Sequence, residues 1–324
     1  MAPFTTIVSC LFQPQLMRTQ LLKIKSKSVS LSIKLLYLIP TDALIMNEKF
    51  ITQIAILLTG LISINSYAQI HVVDDKIIDS VEFSGTRKIL NDLTVDKFQK
   101  KVFVNGSSTI PYRLLMPKDV HAKKYPLVIT FHNSTRIGND NENQLEPLAR
   151  IWLRENIYSD FNCFVIAPQF NERSSSYQQE NAGVLTSTPS DDARQILKLI
   201  EEIESKYPVD KSKIYLVGYS MGASTAQNLF NINPEKFAAL VSIAGVPDFS
   251  NLQKLKDKNI WLIHGKKDIE NPYIGSAELY ARLGNNKNLV FTTFNNLQHN
   301  NITIPYLLSD EIPKWLFKSS SYMK

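Results

Sequence analysis

Six short apolar runs, rich in β-branched residues, recur along the chain. They are continuous or nearly so, and they lie at 126–132, 163–168, 213–218, 238–245, 260–265 and 289–294. Runs of this kind are typical of strands that protein covers on both faces, because no alternate position is left polar for solvent.

Amphipathic segments separate several of these runs. Between Ser190 and Lys206 the apolar residues share one helical face, and Ser190 stands before the first turn as an N-cap. These apolar residues are Ala193, Ile196, Leu197, Ile200 and Ile203. Similar patterns at 276–283 and 309–318 predict two further helices. The alternation of strands and helices predicts an α/β fold, with a mostly parallel sheet and helices on both of its faces.

An antiparallel hairpin is predicted to precede the parallel strands. The segments "FQKKVFV" and "IPYRLLMP" flank Asn105 and Gly106, a pair that favours a tight turn. Residues 69–97, before the hairpin, show no regular pattern, and we interpret them as an irregular leader. We therefore place the folded domain at 98–318.

The segment 46–68 has the pattern of a secretory signal peptide. It begins with a short polar start that holds one lysine, continues in an apolar run at 50–64, and ends in Ser66-Tyr67-Ala68. Small residues thus occupy the two positions that a signal peptidase reads. The apolar run is too short and too polar to favour a stable membrane anchor. The pattern predicts a secreted or periplasmic protein.

Residues 1–45 are not expected to belong to the functional protein. A complete signal pattern begins at Met46, so we interpret 1–45 as an upstream extension that follows from a mis-called start codon. An organellar leader is the alternative, because this segment is basic and nearly free of acidic residues.

Charge and cysteine content exclude two classes of protein. The net charge is +6, but residues 1–68 hold six basic and two acidic residues, so most of the excess lies in the segment expected to be removed. We therefore expect no nucleic-acid partner. Cys10 lies in the same segment, which leaves Cys163 alone within an apolar run. Cys163 is interpreted as a core residue, and no disulfide framework is predicted.

The stretch "IYLVGYSMGASTAQNLF" places Ser220 between two glycines, although the chain has only 11 glycines. A strand pattern ends at Gly218 and a helical pattern begins at Met221. The G-x-S-x-G pattern at such a junction indicates a tight turn that exposes a serine hydroxyl at the carboxyl edge of the sheet. Ser220 is therefore the candidate nucleophile.

A serine nucleophile needs a base to accept its proton and an acid to orient that base. The five histidines of the chain are His71, His121, His132, His264 and His299. In the chain order serine, acid, histidine, only His264 and His299 follow Ser220. A histidine before Gly265 at a strand end is more often structural, so His299, in a polar loop, is the better candidate for the base.

The acid is expected on a loop between Ser220 and His299. Asp268 lies just beyond the strand pattern 260–265, and it is the first choice. Asp248, in "GVPDFS", also follows a strand and is the second choice. The order and setting of Asp268 fit the usual arrangement of such an acid.

An oxyanion needs hydrogen-bond donors near the nucleophile. The backbone N–H of Met221, at the start of a helix, is the first candidate. The second donor is expected from the loop "FHNSTRIGNDN", where Ser134 is preferred and Asn133 comes next.

Five segments together resemble a known family. They are "YRLLMPKDVHAKKYPLVITFHNSTRIGNDNENQL", "CFVIAPQ", "VDKSKIYLVGYSMG", "WLIHGKKD" and "LQHN". Their order and spacing resemble secreted bacterial esterases of the α/β-hydrolase superfamily. The most similar branch comprises esterases and predicted peptidases related to polyhydroxybutyrate depolymerases and to feruloyl or acetylxylan esterases. The resemblance covers roughly residues 98–316, nearly all of the domain.

The resemblance implies Ser220 as nucleophile, Asp268 as acid and His299 as base. The family usually has His-Gly after its first long strand, whereas this chain has His132-Asn133. Because asparagine tolerates positive φ better than other non-glycine residues, we expect Asn133 to take such a conformation.

These features predict a secreted serine hydrolase that cleaves small-molecule or polysaccharide-linked carboxylic esters through an acyl-enzyme. The alternatives are a serine peptidase with the same residues and a non-catalytic binding module on a hydrolase scaffold. No cofactor or metal is predicted, because the sequence holds no HExxH, paired CxxC or glycine-rich phosphate-loop motif. The polar segment 171–190 is expected to form a wall of the substrate pocket.

The signal pattern generates a direct test. Exported protein should begin at Gln69, because cleavage is expected after Ala68. N-terminal sequencing of the exported chain measures this, and an intact N-terminus at Met1 would contradict the prediction.

Overall fold

The computed structural model describes residues 69–319, apart from 120, 122, 181, 182 and 285. The predicted extension at 1–45 and the predicted signal peptide at 46–68 lie outside the described residues.

A nine-stranded sheet forms the centre of the fold. Its strands are β1 Ile70–Asp74, β2 Phe98–Asn105, β3 Ser108–Leu115, β4 Tyr125–Phe131, β5 Phe164–Pro168, β8 Val209–Tyr219, β9 Ala239–Ile243, β10 Asn259–Gly265 and β11 Leu289–Phe294. They lie in the order β1-β11-β10-β9-β8-β4-β5-β3-β2. β3 is antiparallel to both of its neighbours, and the other neighbouring pairs are parallel.

Helices cover the sheet and connect its strands. The α-helices are α1 Ser80–Asn91, α2 Pro147–Arg150, α3 Glu155–Asp160, α4 Asp191–Lys206, α5 Met221–Ile232, α6 Tyr273–Arg282, α7 Ile304–Leu307 and α8 Glu311–Ser319. Short 3-10 helices lie at Ser134–Arg136, Ile151–Leu153, Pro234–Lys236, Leu252–Leu255 and His299–Asn301.

Successive residues of the central strands enter two different hydrophobic clusters. In β4, Val128 belongs to one cluster, whereas Leu127 and Ile129 belong to the other. The first cluster also includes residues of α2, α7 and α8, and the second includes residues of α4, α5 and α6. Both faces of the sheet are therefore covered, which confirms the fold class predicted from the continuous apolar runs. Cys163 is buried in the first cluster.

The best-predicted helix is α4. The side chain of Ser190 accepts a hydrogen bond of 3.1 Å from the N–H of Ala193, as expected of an N-cap. The buried face includes Leu199, whereas the predicted Leu197 is only partly buried. The hairpin of β2 and β3 is also confirmed, with Gly106 at φ +59° in its turn.

The predicted irregular leader, 69–97, is wrong, because it contains a strand and a helix. β1 pairs with β11 at one edge of the sheet, where the ring of His71 stacks on Phe291. The side chain of Asp79 caps α1 by accepting hydrogen bonds from the N–H groups of Val81 and Glu82. The strand was missed because it is a solvent-exposed edge strand, without the alternation that marks a half-buried one.

The segment 171–190 also differs from the prediction. It contains a two-stranded antiparallel sheet of β6 Ser175–Gln179 and β7 Leu185–Pro189. The side chains of Ser174 and Ser175 bond to polar residues of α5, at Thr225 and Asn228. This hairpin therefore packs on the helix that follows Ser220. In the part of the chain described here, no helix is long and apolar enough to cross a membrane.

Candidate active site

Ser220 occupies a strained turn between β8 and α5. Its backbone has φ 58° and ψ −123°, a conformation that non-glycine residues rarely adopt. The backbone N–H of Ser220 donates a 2.9 Å hydrogen bond to the carbonyl of Ile243 at the end of β9. Neighbouring structure thus holds the turn in place, and the side chain of Ser220 lines a cavity.

Backbone contacts require both glycines beside Ser220. A Cβ atom on Gly218 would lie 2.2 Å from the carbonyl oxygen of Gly222, so the strand and the helix are in backbone contact. A Cβ on Gly222 would lie 2.3 Å from the carbonyl oxygen of Phe131 and 2.7 Å from that of His132. No other residue fits at either position without a backbone shift, which accounts for the pattern around the serine.

His299 bridges Ser220 and Asp268. Its Nε2 lies 2.8 Å from the Oγ of Ser220, and its Nδ1 lies 2.7 Å from Oδ2 of Asp268. Because a carboxylate only accepts, Nδ1 of the neutral imidazole carries the proton and Nε2 accepts from the serine hydroxyl. The side chain of Tyr219 supports this arrangement by donating a 2.9 Å hydrogen bond to the carbonyl of His299.

Asp268 is held by four hydrogen bonds. Its Oδ1 accepts from the N–H groups of Glu270 and Asn271, each at 2.9 Å. Its Oδ2 lies near two histidines, at 2.7 Å from His299 and 3.2 Å from His264. Burial by itself would raise the pKa of Asp268, but hydrogen bonds from His264 and His299 outweigh it and hold the pKa well below its ordinary value.

The sequence analysis did not predict that His264 contacts Asp268. Its Nε2 also lies 2.9 Å from the carbonyl of Asn271, and its Nδ1 lies 2.7 Å from the Oγ of Ser276. Since a carbonyl only accepts, Nε2 carries a proton that points toward Asn271 and Asp268. His264 was judged structural from its strand-end position, and the signal that could have found it is its spacing of four residues from Asp268.

The loops that carry acid and histidine bond directly to each other. The backbone N–H of Lys267 donates to the carbonyl of Leu297 at 3.2 Å. The backbone N–H of Lys266 donates to the carbonyl of Phe294 at 2.8 Å. A Cβ on Gly265 would lie 2.2 Å from the carbonyl oxygen of Leu297. Gly265 therefore permits the close approach of the two loops.

The other sequence candidates lie elsewhere or have different roles. Asp248 accepts a 3.1 Å hydrogen bond from Asn228 of α5 and has no described contact with His299. His132 is buried, and burial lowers its pKa to about 4. Its Nε2 accepts from the N–H of Phe170 at 3.1 Å, and its Nδ1 donates to the carbonyl of Asn133 at 2.7 Å. His132 thus ties the ends of β4 and β5 together.

Asn133 does not take the conformation expected of it. Its φ is −77°, in the extended region, and its backbone N–H donates to Oε1 of Glu146 at 3.1 Å. Its side-chain amide also donates to Oε2 of Glu146, and its Oδ1 accepts a 2.8 Å hydrogen bond from the N–H of Thr135. The N–H of Asn133 is therefore not available to an oxyanion. The sequence analysis missed Glu146, the buried acceptor that fixes this loop.

Two of the predicted donors keep an unengaged N–H. Among the described residues, neither the N–H of Met221 nor that of Ser134 donates to a protein acceptor. Both lie at the start of a helical turn, where N–H groups have no partner within the turn. The contact of Gly222 with Phe131 and His132 brings the two segments together.

A cavity of about 260 Å³, here called the Ser220 pocket, opens at the serine. Its lining comes from α1, the 3-10 helix after β4, the turn at Ser220, Glu270 and the loop of His299. None of the described residues of 171–190 lines it, so the predicted wall is wrong, and Phe83 and Arg87 of the supposed leader take that place. Asp79 as a cap and the helical spacing of Phe83, Thr86 and Leu90 were the signals that could have identified them.

No group of three or more histidine, cysteine or acidic residues in the described ranges is arranged to hold a metal ion.

Comparisons with known proteins agree with this architecture. The profile of the alpha/beta hydrolase fold family matches residues 146–269, which include Ser220 and Asp268. An 87-residue stretch is 29% identical to feruloyl esterase B of Talaromyces stipitatus, and it covers 27% of this chain. The match spans 24% of that protein's length, about a quarter of it.

Solved structures show the same fold. A thermostable esterase is 29% identical with a TM-score of 0.62, and the match covers 69% of this chain and 63% of that one. Est1E from Butyrivibrio proteoclasticus is 13% identical with a TM-score of 0.50, and the match covers 68% and 99% of the two chains. The chain has the α/β-hydrolase fold, and the predicted resemblance to esterases of that fold is confirmed.

The buried Glu146 generates a prediction about stability. Burial raises its pKa from 4.5 to about 7, although hydrogen bonds from Asn133 and the charges of Arg136 and Arg87 oppose the shift. The folded protein therefore holds this proton more tightly than the unfolded chain. The stabilisation is present below about pH 4.5 and is lost as the pH rises through about 7.

Relative to Glu146→Gln, the wild type should lose about 3 kcal/mol of unfolding free energy between pH 4 and pH 8. Urea unfolding of both proteins at a series of pH values measures the two free energies of unfolding. Subtracting the value for the variant removes the contribution of all other titrating groups, which both proteins share. A difference that does not change with pH would contradict the assignment.

Proposed function

We propose that this protein hydrolyses carboxylic esters, with Ser220 as nucleophile, His299 as base and Asp268 as the acid that orients His299. The hydrogen-bonded series Ser220 Oγ, His299, Asp268, at 2.8 and 2.7 Å, is the observation that carries the proposal. Both distances lie within the range required of a nucleophile and its base. The three side chains are largely buried, which limits the competition of water for these hydrogen bonds.

In the first half-reaction, His299 Nε2 takes the proton of Ser220 while Oγ attacks the carbonyl carbon of the ester. The tetrahedral intermediate collapses when the C–O bond to the alcohol breaks, and His299 gives its proton to the leaving oxygen. An acyl-enzyme on Ser220 remains. In the second half-reaction, water attacks this acyl group, His299 accepts a proton from the water, and Ser220 leaves with its proton restored.

Asp268 stabilises the imidazolium that forms in each half-reaction. Its low pKa keeps the carboxylate ionised, so it continues to accept the Nδ1 proton of His299. The contact with His264 fixes the orientation of Oδ2 toward His299. His264 is thus assigned a positioning role.

The N–H groups of Met221 and Ser134 are proposed to bind the oxyanion. Each is a backbone donor without a described protein acceptor, and the two segments meet beside Ser220. Donors of this kind are fixed before the reaction begins, so they stabilise the developing charge without reorganisation.

The substrate class follows from chemistry and from the relatives. Feruloyl esterase B and the thermostable esterase support an ester substrate, and feruloyl esters belong in the first substrate panel. If the predicted signal peptide directs export, the protein would meet small-molecule or polysaccharide-linked esters outside the cytoplasm. A serine peptidase would use the same three residues, and a 4-nitroanilide amide compared with the matching 4-nitrophenyl ester distinguishes the two.

Ser220→Ala and His299→Ala should each lower kcat for 4-nitrophenyl acetate by about 10³-fold or more. The double variant should lose little more than either single one, because the two residues act as a unit. Asp268→Ala should also lower kcat strongly, since an unanchored imidazole adopts the wrong orientation or tautomer.

Labelling with a fluorophosphonate probe provides the complementary measurement. The wild type should be labelled and Ser220→Ala should not, whereas a binding module would show no labelling of either. Circular dichroism of each variant checks that the fold is intact. If Asp268→Ala retained activity while Asp248→Ala lost it, the assignment of the acid would be wrong.

Replacing Ser134 with proline tests the second oxyanion donor. Proline removes the N–H, and its fixed φ suits the first position of the 3-10 helix Ser134–Arg136. Asn133 already has the extended backbone that the residue before a proline needs. The loss of one donor should lower kcat about 100-fold, with little change in KM.

Ser134→Ala is the matched comparison, because it removes the side chain but keeps the N–H. The difference in kcat between the two variants isolates the backbone donor. Equal kcat values for the proline and alanine variants would show that this N–H does not bind the oxyanion.

A further inference from the structure

Two arginines line the Ser220 pocket, and they come from two different elements of the fold. Arg87 belongs to α1, and Arg136 ends the 3-10 helix that follows β4. The mechanism proposed above uses neither of them. With Glu270 as the acidic residue of the lining and His299 neutral, the charges of the lining sum to +1.

Arg136 is partly buried and holds an unused donor. Its Nε is inaccessible to solvent and has no hydrogen-bond partner in the described part of the protein. A buried donor without an acceptor is unfavourable, and such groups need a specific explanation. Because Nε is closed to solvent, the donors of Arg136 that a ligand in the pocket would meet are Nη1 and Nη2, which form no hydrogen bond among the described residues.

The side chain of Arg87 packs on the ring of Phe83. Its guanidinium carbon lies 5.4 Å from the ring centre of Phe83, one helical turn earlier, and Phe83 also lines the pocket. This stacking restrains the side chain without using any of its N–H donors. Its hydrogen-bonding capacity therefore remains available to a ligand.

The other partly or fully buried arginines of the described chain have acceptors. Arg113 donates to the carbonyls of Asn141 and Phe98, and Arg150 donates to the carbonyl of Leu145. Arg154 donates to the carbonyl of Ser309. The two pocket arginines differ from these three, since no hydrogen bond or ion pair of their guanidinium groups occurs among the described residues.

Two acidic groups lie near the arginines, but neither forms an ion pair with them. The pKa of Glu146 responds to the charges of Arg136 and Arg87, but its two oxygens are occupied by Asn133. Glu270 lies beside His299 instead. Its Oε2 is 3.8 Å from Nε2 of His299, and its Oε1 accepts a hydrogen bond from the side chain of Asn300. Neither carboxylate forms an ion pair with a pocket arginine.

We propose that Arg87 and Arg136 bind a carboxylate of the substrate, so that the preferred esters carry a free carboxylate in their acid or alcohol part. The inference rests on the proposed ester hydrolysis at Ser220. A guanidinium matches the two oxygens of a carboxylate, and the single positive charge of the lining suits a monoanion better than a dianionic phosphate.

The test uses two matched pairs of esters. Mono-4-nitrophenyl adipate is compared with 4-nitrophenyl hexanoate, which places the charge in the acid part. 4-Acetoxybenzoate is compared with 4-acetoxybenzamide, which places it in the alcohol part. In each pair the measured quantity is the ratio of kcat/KM for the anionic ester to that for the neutral ester, at low and high salt.

The wild type should prefer the anionic ester of at least one pair by about tenfold, mainly through KM. Adding about 0.5 M NaCl should reduce the ratio, because salt screens the attraction. Arg87→Gln and Arg136→Gln should each lower the ratio, and Arg136→Lys, which keeps the charge but loses the planar fork, should lower it less. Arg194→Gln, exposed on α4, is the control for a lost positive charge and should keep the ratio.

Several results would overturn the proposal. One is a wild-type ratio of kcat/KM, anionic over neutral ester, that is near or below one in both pairs. This result needs only the wild type, so it stands even if a variant fails to fold. Equal losses on both members of a pair in the arginine variants would also overturn it, because the ratio would stay constant. If neutral esters are hydrolysed and Ser220 is labelled while the ratio is near one, only the carboxylate site fails. If none of the four esters is cleaved, both proposals fail.

Discussion

The backbone contact between the turn at Ser220 and the end of β4 is the constraint on which the site depends. Gly222 lies against the carbonyls of Phe131 and His132, and Gly218 lies against Gly222, so strand, helix and loop meet without side chains between them. This contact joins the first turn of α5 to the end of β4, just before the 3-10 helix that begins at Ser134. The strained backbone of Ser220 persists because its neighbours on both sides are held by this packing and by Ile243.

A second backbone contact, between Gly265 and Leu297, holds the loops of Asp268 and His299 close together. Asp268 and His299 come from loops after β10 and β11, which are neighbours in the sheet. The direct hydrogen bonds between the two loops fix the separation of carboxylate and imidazole more firmly than either loop could alone. The side chains of Ser220, Asp268 and His299 thus take their positions from the carboxyl ends of strands, where a parallel sheet brings successive loops together.

The sequence predicted what depends on local pattern and chain order. Apolar runs gave the parallel strands, Ser190 gave the start of α4, and the G-x-S-x-G pattern with the order of Asp268 and His299 gave residues that the structure places within hydrogen-bonding distance. It did not predict contacts that depend on distant residues. The exposed strand β1 is defined by β11, the conformation of Asn133 by Glu146, and the pocket wall by α1 rather than by 171–190. For β1 and Asn133 the determining partner lies in another element and carries no local signal. The helix α1 did have local signals, the Asp79 cap and the helical spacing of its apolar residues, and they were not used.

The position of β1 links the pocket to the order in which the chain can fold. His71 of β1 bonds to Thr293 of β11 across 222 residues, and α1, which follows β1 directly, packs on α7 near the C-terminus. Contacts of such long range form late, because closing a long loop has a large entropic cost. The N-terminal segment leaves the ribosome early, yet its strand has no partner until β11 is made. The wall that carries Arg87 can therefore be completed only after almost the whole chain has been synthesised, and chains cut short before β11 would lack a finished pocket even with Ser220 in place.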